Sequence, residues 1–491
     1  MKRITGTSLS QERRITYKEL KQHSTYSDAW LSINGVVYNI TNFVDKHPFG
    51  DTFRGHLGTE CGGLFSSAHT NTNVEELIRQ DSFLRKNGIQ VVDRLDVSGD
   101  RLHRHNNSPF LDRIVYQDMG KDKLWQEIRT SVASYLKDHG ETTHYTFQEG
   151  ALLICYHLCI YLCLSYLTWI YGSFLASVLL GFQVVCMVGS ISHMATHHGF
   201  TDSPLLDFTA MYLFDLCGMS GLEWQITHQT HHNQPHSSID HQTKAYTFIS
   251  VRIHKYIKRR SHHRYQYIYF WVLLSFYFLS KMVATTGWMI KYPEFIRHKH
   301  EMMAHLLGKS ILLMQLLYCV YVHGFWMTLA IFAVYMTATS QIAFILLFND
   351  HEENHNLLGQ VEDVNQFHVR TSWAEVQVRT SGNWHPTNWF LSFIEFHYGY
   401  FNYHIEHHLF PTFKPILTKK ISPIVKSVCI KHGVPYVSTS FLEMQKSLQT
   451  HLSNLSRSNE TQPSVVPIVN LGQATTKTSV TPTLENGEIN T

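Results

Sequence analysis

The sequence predicts a small α+β soluble domain at the N-terminus, joined to a mainly α-helical membrane domain of two transmembrane hairpins with a cytosolic cap. Three observations carry that expectation. Two long runs hold no formally charged residue, short β-branched runs alternate with glycine and polar turns near the N-terminus, and three groups of closely spaced histidines stand between and after the apolar runs. At 491 residues the chain exceeds one ordinary soluble domain, so at least two units are expected.

The first unit covers residues 15–93, where the strand-like runs lie. The segment before it, Met1 to Leu20, is polar and basic and lacks the apolar core of a signal peptide, so this domain is expected to stay in the cytosol. A charged connector occupies 94–150. Within it, Leu124, Trp125, Ile128, Val132 and Leu136 recur at helical spacing and predict an amphipathic helix over Lys121 to Lys137.

The membrane domain is assigned to 151–450. Residues 151–191 and 310–348 contain no Asp, Glu, Lys or Arg. A bilayer core needs about 20 apolar residues per helix, so each run accommodates two spans, near 151–171, 173–191, 310–329 and 331–348. A hairpin returns the chain to its starting face, which places His193 beside the N-terminal domain. Leu205 to Met219 carries Asp207 and Asp215 and is assigned to the interface. Arg252 to Arg264 contains six Lys/Arg residues, which marks that shared face as cytosolic. Tyr265 to Ile290 is apolar but holds Lys281, and an extra crossing there would carry the later histidines to the other side. It is therefore read as interfacial or re-entrant. Cys155, Cys159 and Cys163 lie one turn apart in an apolar run and read as packing or lipid-facing positions rather than a metal site. Residues 451–491 are rich in Ser, Thr and Asn and predict a disordered tail. The formal charge of +3 is uninformative, and no nucleic-acid partner is expected.

Histidine is in excess, 34 residues, and its placement is patterned. The groups are His193-Met-Ala-Thr-His197-His198, His228-Gln-Thr-His231-His232 and His404-Ile-Glu-His407-His408. On a helix, positions i, i+3 and i+4 share a face, so each group can aim several imidazoles at one point. The candidate metal ligands are His193, His197, His228, His231, His232, His404, His407 and His408, with His351 as an additional one and His355 as its competitor. His198 ranks below its neighbours. Imidazole alone suits Zn, Cu, Fe or Ni, so the ligand type leaves the metal open.

The run Val37-Tyr-Asn-Ile-Thr-Asn-Phe-Val-Asp-Lys-His47-Pro-Phe-Gly50, with Leu64-Phe-Ser-Ser-Ala-His69 after it, resembles the cytochrome b5 family. The resemblance implies haem b with His47 and His69 as axial ligands, a group that transfers electrons because no coordination position is left for oxygen. Phe49 stands where that family usually has Gly, a departure that touches the turn and not the ligand. His56, between the two ligands, matches no motif position and is read as a surface residue. An attached electron donor disfavours zinc, which has no redox chemistry.

From about 190 to 440 the chain resembles the membrane fatty acyl desaturases, specifically the b5-fused front-end group. The resemblance rests on the ordered histidine groups, on Trp373-Ala-Glu-Val-Gln-Val-Arg-Thr-Ser381 and on His404-Ile-Glu-His-His-Leu-Phe-Pro411. It implies two non-haem iron ions, oxygen as co-substrate, and insertion of a cis double bond into an acyl chain that is already unsaturated. It also implies a fatty acyl lipid or acyl-CoA substrate, NADH-cytochrome b5 reductase as electron source, and residence in the endoplasmic reticulum membrane with haem domain and histidines facing the cytosol. No catalytic residue beyond the metal ligands is expected. The front-end group usually opens its third histidine group with Gln, whereas this chain has His404. Competing readings are a sphingolipid desaturase, an acyl or sphingolipid hydroxylase, and a non-catalytic haem membrane protein.

Overall fold

The computed structural model describes residues 14–47, 49–69, 74–96, 114, 116–235, 237, 240, 251–252, 258–347 and 371–457. The N-terminal domain holds a four-stranded antiparallel sheet, Ser24–Thr25, Asp28–Ile33, Val36–Asn39 and Gln90–Arg94, paired in chain order. Its central hairpin turns through Asn34 and Gly35, at φ of 53° and 76°. Asn-Gly is the pair that reaches positive φ most readily at a two-residue hairpin turn. One face of the sheet packs Leu31, Ile33, Tyr38 and Ile40 with Val44, Leu57 and Leu84 from the short helices. Glu60 is tied to the hairpin turn by the amides of Asn34 at 3.0 Å and Gly35 at 3.2 Å, and burial raises its carboxyl above the usual range.

The connector helix runs Lys123–His139. Its five buried residues are Leu124, Trp125, Ile128, Val132 and Leu136, the set that the periodicity selects. Asp122 caps it by accepting the Trp125 amide at 3.1 Å, and Gly140 ends it at φ 62°. Its apolar face packs against the helix Pro415–Lys431 and the segment holding the third histidine group.

Among the described residues, four helices are long and apolar enough to cross a membrane: Phe147–Trp169, Phe174–Thr196, Lys299–His323 and Phe325–Leu346. Cys155, Cys159 and Cys163 point outward from the first of them. Two bent helix pairs add to these. Pro204–Leu216 with Gly221–Asn233 turns by 105°, and Ser261–Leu274 with Tyr277–Lys291 turns by 68°. The first pair takes in Leu205 to Met219 and continues into the second histidine group, and the second takes in Tyr265 to Ile290.

Two boundaries differ from the expectation. The third span begins at Lys299 and not at 310, because its charged residues find partners. Glu301 forms a buried ion pair with Arg54 of the N-terminal domain, and Lys309 donates to the carbonyl oxygens of Gly218 and Met282. The polar tail does not begin at 451, since the helix Phe441–Arg457 buries Met444, Leu448, Leu452 and Leu455. Arg252 and Arg259 donate to its last carbonyl oxygens, those of Leu455 and Ser456, at 2.9 and 2.8 Å. An amphipathic stripe inside a Ser-rich stretch is weak in composition and strong in contacts. Residues 458–491 lie outside the described residues.

Candidate metal centre and haem cleft

The second span contains a π-helical turn, Val188–Ser192, directly before His193. Such a turn adds one residue to the helix and re-aims the side chains beyond it. The turn is held by close packing: a Cβ on Gly189 would lie 2.5 Å from the Tyr398 ring, and one on Gly399 would lie 2.7 Å from Ser190. The second histidine group sits on Gly221–Asn233, a helix capped by Ser220. The third sits on the short helix His404–Leu409, whose start is pinned by Asn383 Oδ1 accepting the Ile405 amide at 2.9 Å.

These three elements converge. One nitrogen each from His193, His197, His228, His232 and His407 lies within 4.8 Å of all the others, and all five side chains are buried. His232 Nε2 lies 3.0 Å from both His228 Nε2 and His407 Nε2. Beside this cluster, His404 Nε2 and His408 Nε2 meet at 3.0 Å, and the His231 and His408 rings stand 5.1 Å apart. Eight of the nine candidate metal ligands are therefore gathered into one buried region with two adjoining poles. His351 and its competitor His355 lie outside the described residues.

Outer partners set the rings, and the sequence singled out none of them. His231 bonds through Nδ1 to Asp240 Oδ2 at 2.8 Å, and His408 through Nδ1 to Gln377 Oε1 at 2.8 Å. Engaging Nδ1 leaves Nε2 to face the centre, the usual way a buried ligand histidine is oriented. Glu406 points away from the cluster and accepts from Tyr436 Oη at 2.7 Å and Asn383 Nδ2 at 2.8 Å, with burial pushing its carboxyl up to about 7. Burial pushes His197 down to about 3 and His407 well below the usual imidazole value, so both are neutral, the form that binds a metal. His197 Nε2 is buried without a hydrogen-bond partner among the described residues, which fits a metal ligand and leaves a structural role unexplained. His198 turns away at φ 54° and meets Gln225 Nε2 at 3.0 Å.

In the N-terminal domain, His47 and His69 face each other across an apolar cleft with ring centroids 6.3 Å apart. His69 Nδ1 bonds to the Phe65 carbonyl at 2.7 Å, which directs Nε2 into the cleft. Leu31, Phe43, Phe53, Leu64 and Phe65 line it, so the pair and its surroundings fit a haem. The cleft belongs to a cavity of about 370 Å³ that continues to His56, His197, His198 and His232. Contrary to the surface position expected from sequence, His56 is buried. It faces the membrane domain, whose presence an isolated haem-domain motif does not encode.

The two domains are joined by buried contacts. Trp125 Nε1 donates to Ser66 Oγ at 2.8 Å, Asn233 Nδ2 donates to the Glu60 carbonyl at 2.8 Å, and Gly63 lies so close to Trp373 that a Cβ would fall 2.4 Å from its ring. The architecture is that of a membrane protein with a tethered haem-type domain seated on a buried polyhistidine centre. Residues 141–440 match the fatty acid desaturase family, and residues 16–86 match the cytochrome b5-like heme/steroid binding domain. The chain belongs to the fatty acid desaturase family and carries a fused cytochrome b5-like domain.

Among its relatives, an acyl-lipid (8-3)-desaturase of Physcomitrium patens is 23% identical, covering 91% of each chain. A Delta(8)-fatty-acid desaturase of Borago officinalis is 24% identical over 88% of this chain and 91% of the relative. The fatty acid desaturase 2-like protein FADS2B of Mus musculus is 22% identical over 87% of this chain and 82% of the relative. No solved structure matches.

Proposed function

We propose that the chain is an oxygen-dependent front-end acyl desaturase that inserts a cis double bond into an already unsaturated acyl chain carried on a lipid. The observation that carries this reading is the shared cavity, in which His47 and His69 lie on one side and His197 and His232 on the other. A one-electron carrier beside a redox metal site is what sequential reduction requires. The relatives named for acyl-lipid (8-3) and Delta(8) positions, matched over most of both chains, favour the front-end class and a lipid-linked substrate.

Two iron ions would be held by His193, His197, His228, His232 and His407 at one pole and by His231, His404 and His408 at the other, with His351 completing the set. Bound there, iron supplies the oxidising chemistry that removes two hydrogens from an unactivated chain at the expense of oxygen and two electrons. The protein's own contribution is positional. Asp240 and Gln377 fix two of the rings, the π-helical turn aims His193, and burial keeps His197, His228, His232 and His407 neutral. The tethered domain removes the need for diffusional encounter with its donor. Electrons reach it from NADH-cytochrome b5 reductase. The parity of the hairpins and the basic Arg252 to Arg264 segment support residence of both domains on the cytosolic face of the endoplasmic reticulum membrane.

The test is expression in a host lacking polyunsaturated lipids, feeding with mono- to tri-unsaturated acids, and mapping of products by mass spectrometry. A new double bond on the carboxyl side of an existing one is expected. A product that retains oxygen selects the hydroxylase reading instead, and an unchanged lipid profile with a normally reducible haem domain removes the enzymatic one.

A further inference from the structure

The segment Phe49–His56 lies between the two halves of the molecule and touches both. The Phe49 ring packs against His198 with centroids 4.9 Å apart and planes 30° apart. His198 directly succeeds His197 of the five-histidine cluster. On its other side the Phe49 amide nitrogen lies 3.2 Å from His47 Nδ1, so one residue contacts a haem-cleft histidine and the wall of the metal centre. Further along, Arg54 is buried in its ion pair with Glu301 of the third span. Gly55 approaches the helix of the second histidine group so closely that a Cβ would sit 3.1 Å from the Ile226 carbonyl. His56 is 8% exposed, lines the shared cavity, and keeps a buried Nδ1 with no hydrogen-bond partner among the described residues.

Each contact has a reason in the sequence. A Gly at position 49, the residue usual in the b5 pattern, would leave His198 uncovered. An aromatic ring there offers a flat apolar surface, and tilted ring pairs of this kind are favourable. A larger residue at Gly55 would hold the segment off the Gly221–Asn233 helix.

Resting on the desaturase reading, we propose that Phe49 and His56 are positioning residues that dock the haem cleft on the histidine centre and set the path of electron transfer between them. With haem held by His47 and His69 and iron held by the histidine centre, each transfer would oxidise ferrous haem to ferric and lower one iron ion by one electron, and two such transfers would serve each double bond. The reductant that reloads the haem is an external one-electron donor, for which dithionite serves in vitro.

The experiment uses the full chain in lipid nanodiscs, comparing wild type with Phe49→Gly, Phe49→Tyr and His56→Gln. Hydrogen exchange is read on residues 43–57 and 193–200 in protein stripped of haem and iron. Haem and iron content, the rate of haem reoxidation by oxygen in the presence of acyl substrate, and KM against kcat are read in the loaded protein. Phe49→Gly should retain its haem spectrum and iron, exchange faster in both segments, and reoxidise about tenfold more slowly, the size expected from losing one aromatic contact. Its kcat should fall with KM unchanged. Phe49→Tyr should restore both the exchange and the rate, and His56→Gln should slow reoxidation with haem and iron intact. Wild-type exchange and wild-type reoxidation in Phe49→Gly overturn the proposal, as does a slow rate accompanied by loss of haem or iron. If the wild type forms no double bond, the desaturase reading fails, while the exchange result still decides whether Phe49 docks the domains.

Discussion

Gln377 bridges two of the three histidine groups. Its Oε1 accepts from His408 Nδ1 at 2.8 Å, and its Nε2 donates to the His232 carbonyl at 3.0 Å. Both ends of one amide are therefore used, and the residue is fully buried. The helix Trp373–Arg379 that carries it is anchored by Ser372, which accepts the Glu375 amide at 3.0 Å and donates to Asp122 Oδ2 at 2.7 Å. Gln377→Leu removes the bond that orients His408 and leaves a backbone carbonyl unpaired. Iron affinity should drop by about 10- to 100-fold, the usual cost of removing a group that orients a metal ligand. Titration of iron into the apo-protein checks this, and a wild-type affinity would show that His408 is held by packing alone.

His404 separates this chain from the Gln-opening front-end pattern. Its Nε2 lies 3.0 Å from His408 Nε2, and its side chain is buried against Phe401 with ring centroids 4.8 Å apart. We propose that His404 binds the metal directly rather than acting as an outer partner. His404→Gln should lower bound iron and activity together, read by metal analysis and product formation on the same preparations. Unchanged values for both would remove His404 from the ligand set.

Arg54 and Glu301 form a fully buried ion pair between the haem domain and the third span. Arg54 also donates through Nε to Tyr26 Oη at 3.0 Å, while Glu301 Oε2 accepts the amides of Arg297 and His298 at 3.0 and 3.1 Å. Removing either charge leaves the other buried and uncompensated, at a cost of about 3–5 kcal/mol. Arg54→Leu and Glu301→Leu should each lower the thermal midpoint of the full chain. The double substitution should recover much of the loss, less the contribution of the Glu301 cap. Additive losses would mean that the two charges do not depend on each other.

The features legible in the sequence are those that local periodicity carries. The connector face of Leu124, Trp125, Ile128, Val132 and Leu136 repeats at helical spacing, and the histidine groups share helix faces by their own spacing. The features that escaped depend on partners far away in the chain. Glu301 and Lys309 look incompatible with a span until Arg54 and the carbonyls of Gly218 and Met282 are placed beside them. His56 looks like a surface residue because its burial is supplied by a second domain. Asp240 and Gln377 carry no spacing signal, since an orienting residue needs only to reach a ring nitrogen in space.

A second buried network, away from the metal centre, gives a pH-dependent prediction. His397 ends the helix Trp389–His397, whose Trp389, Phe390, Phe393 and Phe396 are exposed, as on a helix lying in a membrane interface. Its Nε2 meets Gln183 Oε1 at 2.9 Å, and its Nδ1 meets Tyr156 Oη at 3.0 Å, tying this helix to the first two spans. The carboxamide oxygen can only accept, so Nε2 carries the proton and Nδ1 accepts from the Tyr156 hydroxyl. That arrangement needs a neutral ring, and burial accordingly lowers the His397 pKa below 6.5. Below pH 6.5 the unfolded chain takes up this proton before the folded one does. Stability is thus full above that pH and declines as the pH falls toward the lowered folded value. The thermal midpoint should drop between about pH 7.5 and about pH 5.5, and part of that drop should vanish in His397→Gln, which has no proton to gain. Equal acid sensitivity in the two proteins would show that protonation of His397 does not contribute, leaving the tether to Tyr156 and Gln183 as a contact indifferent to pH.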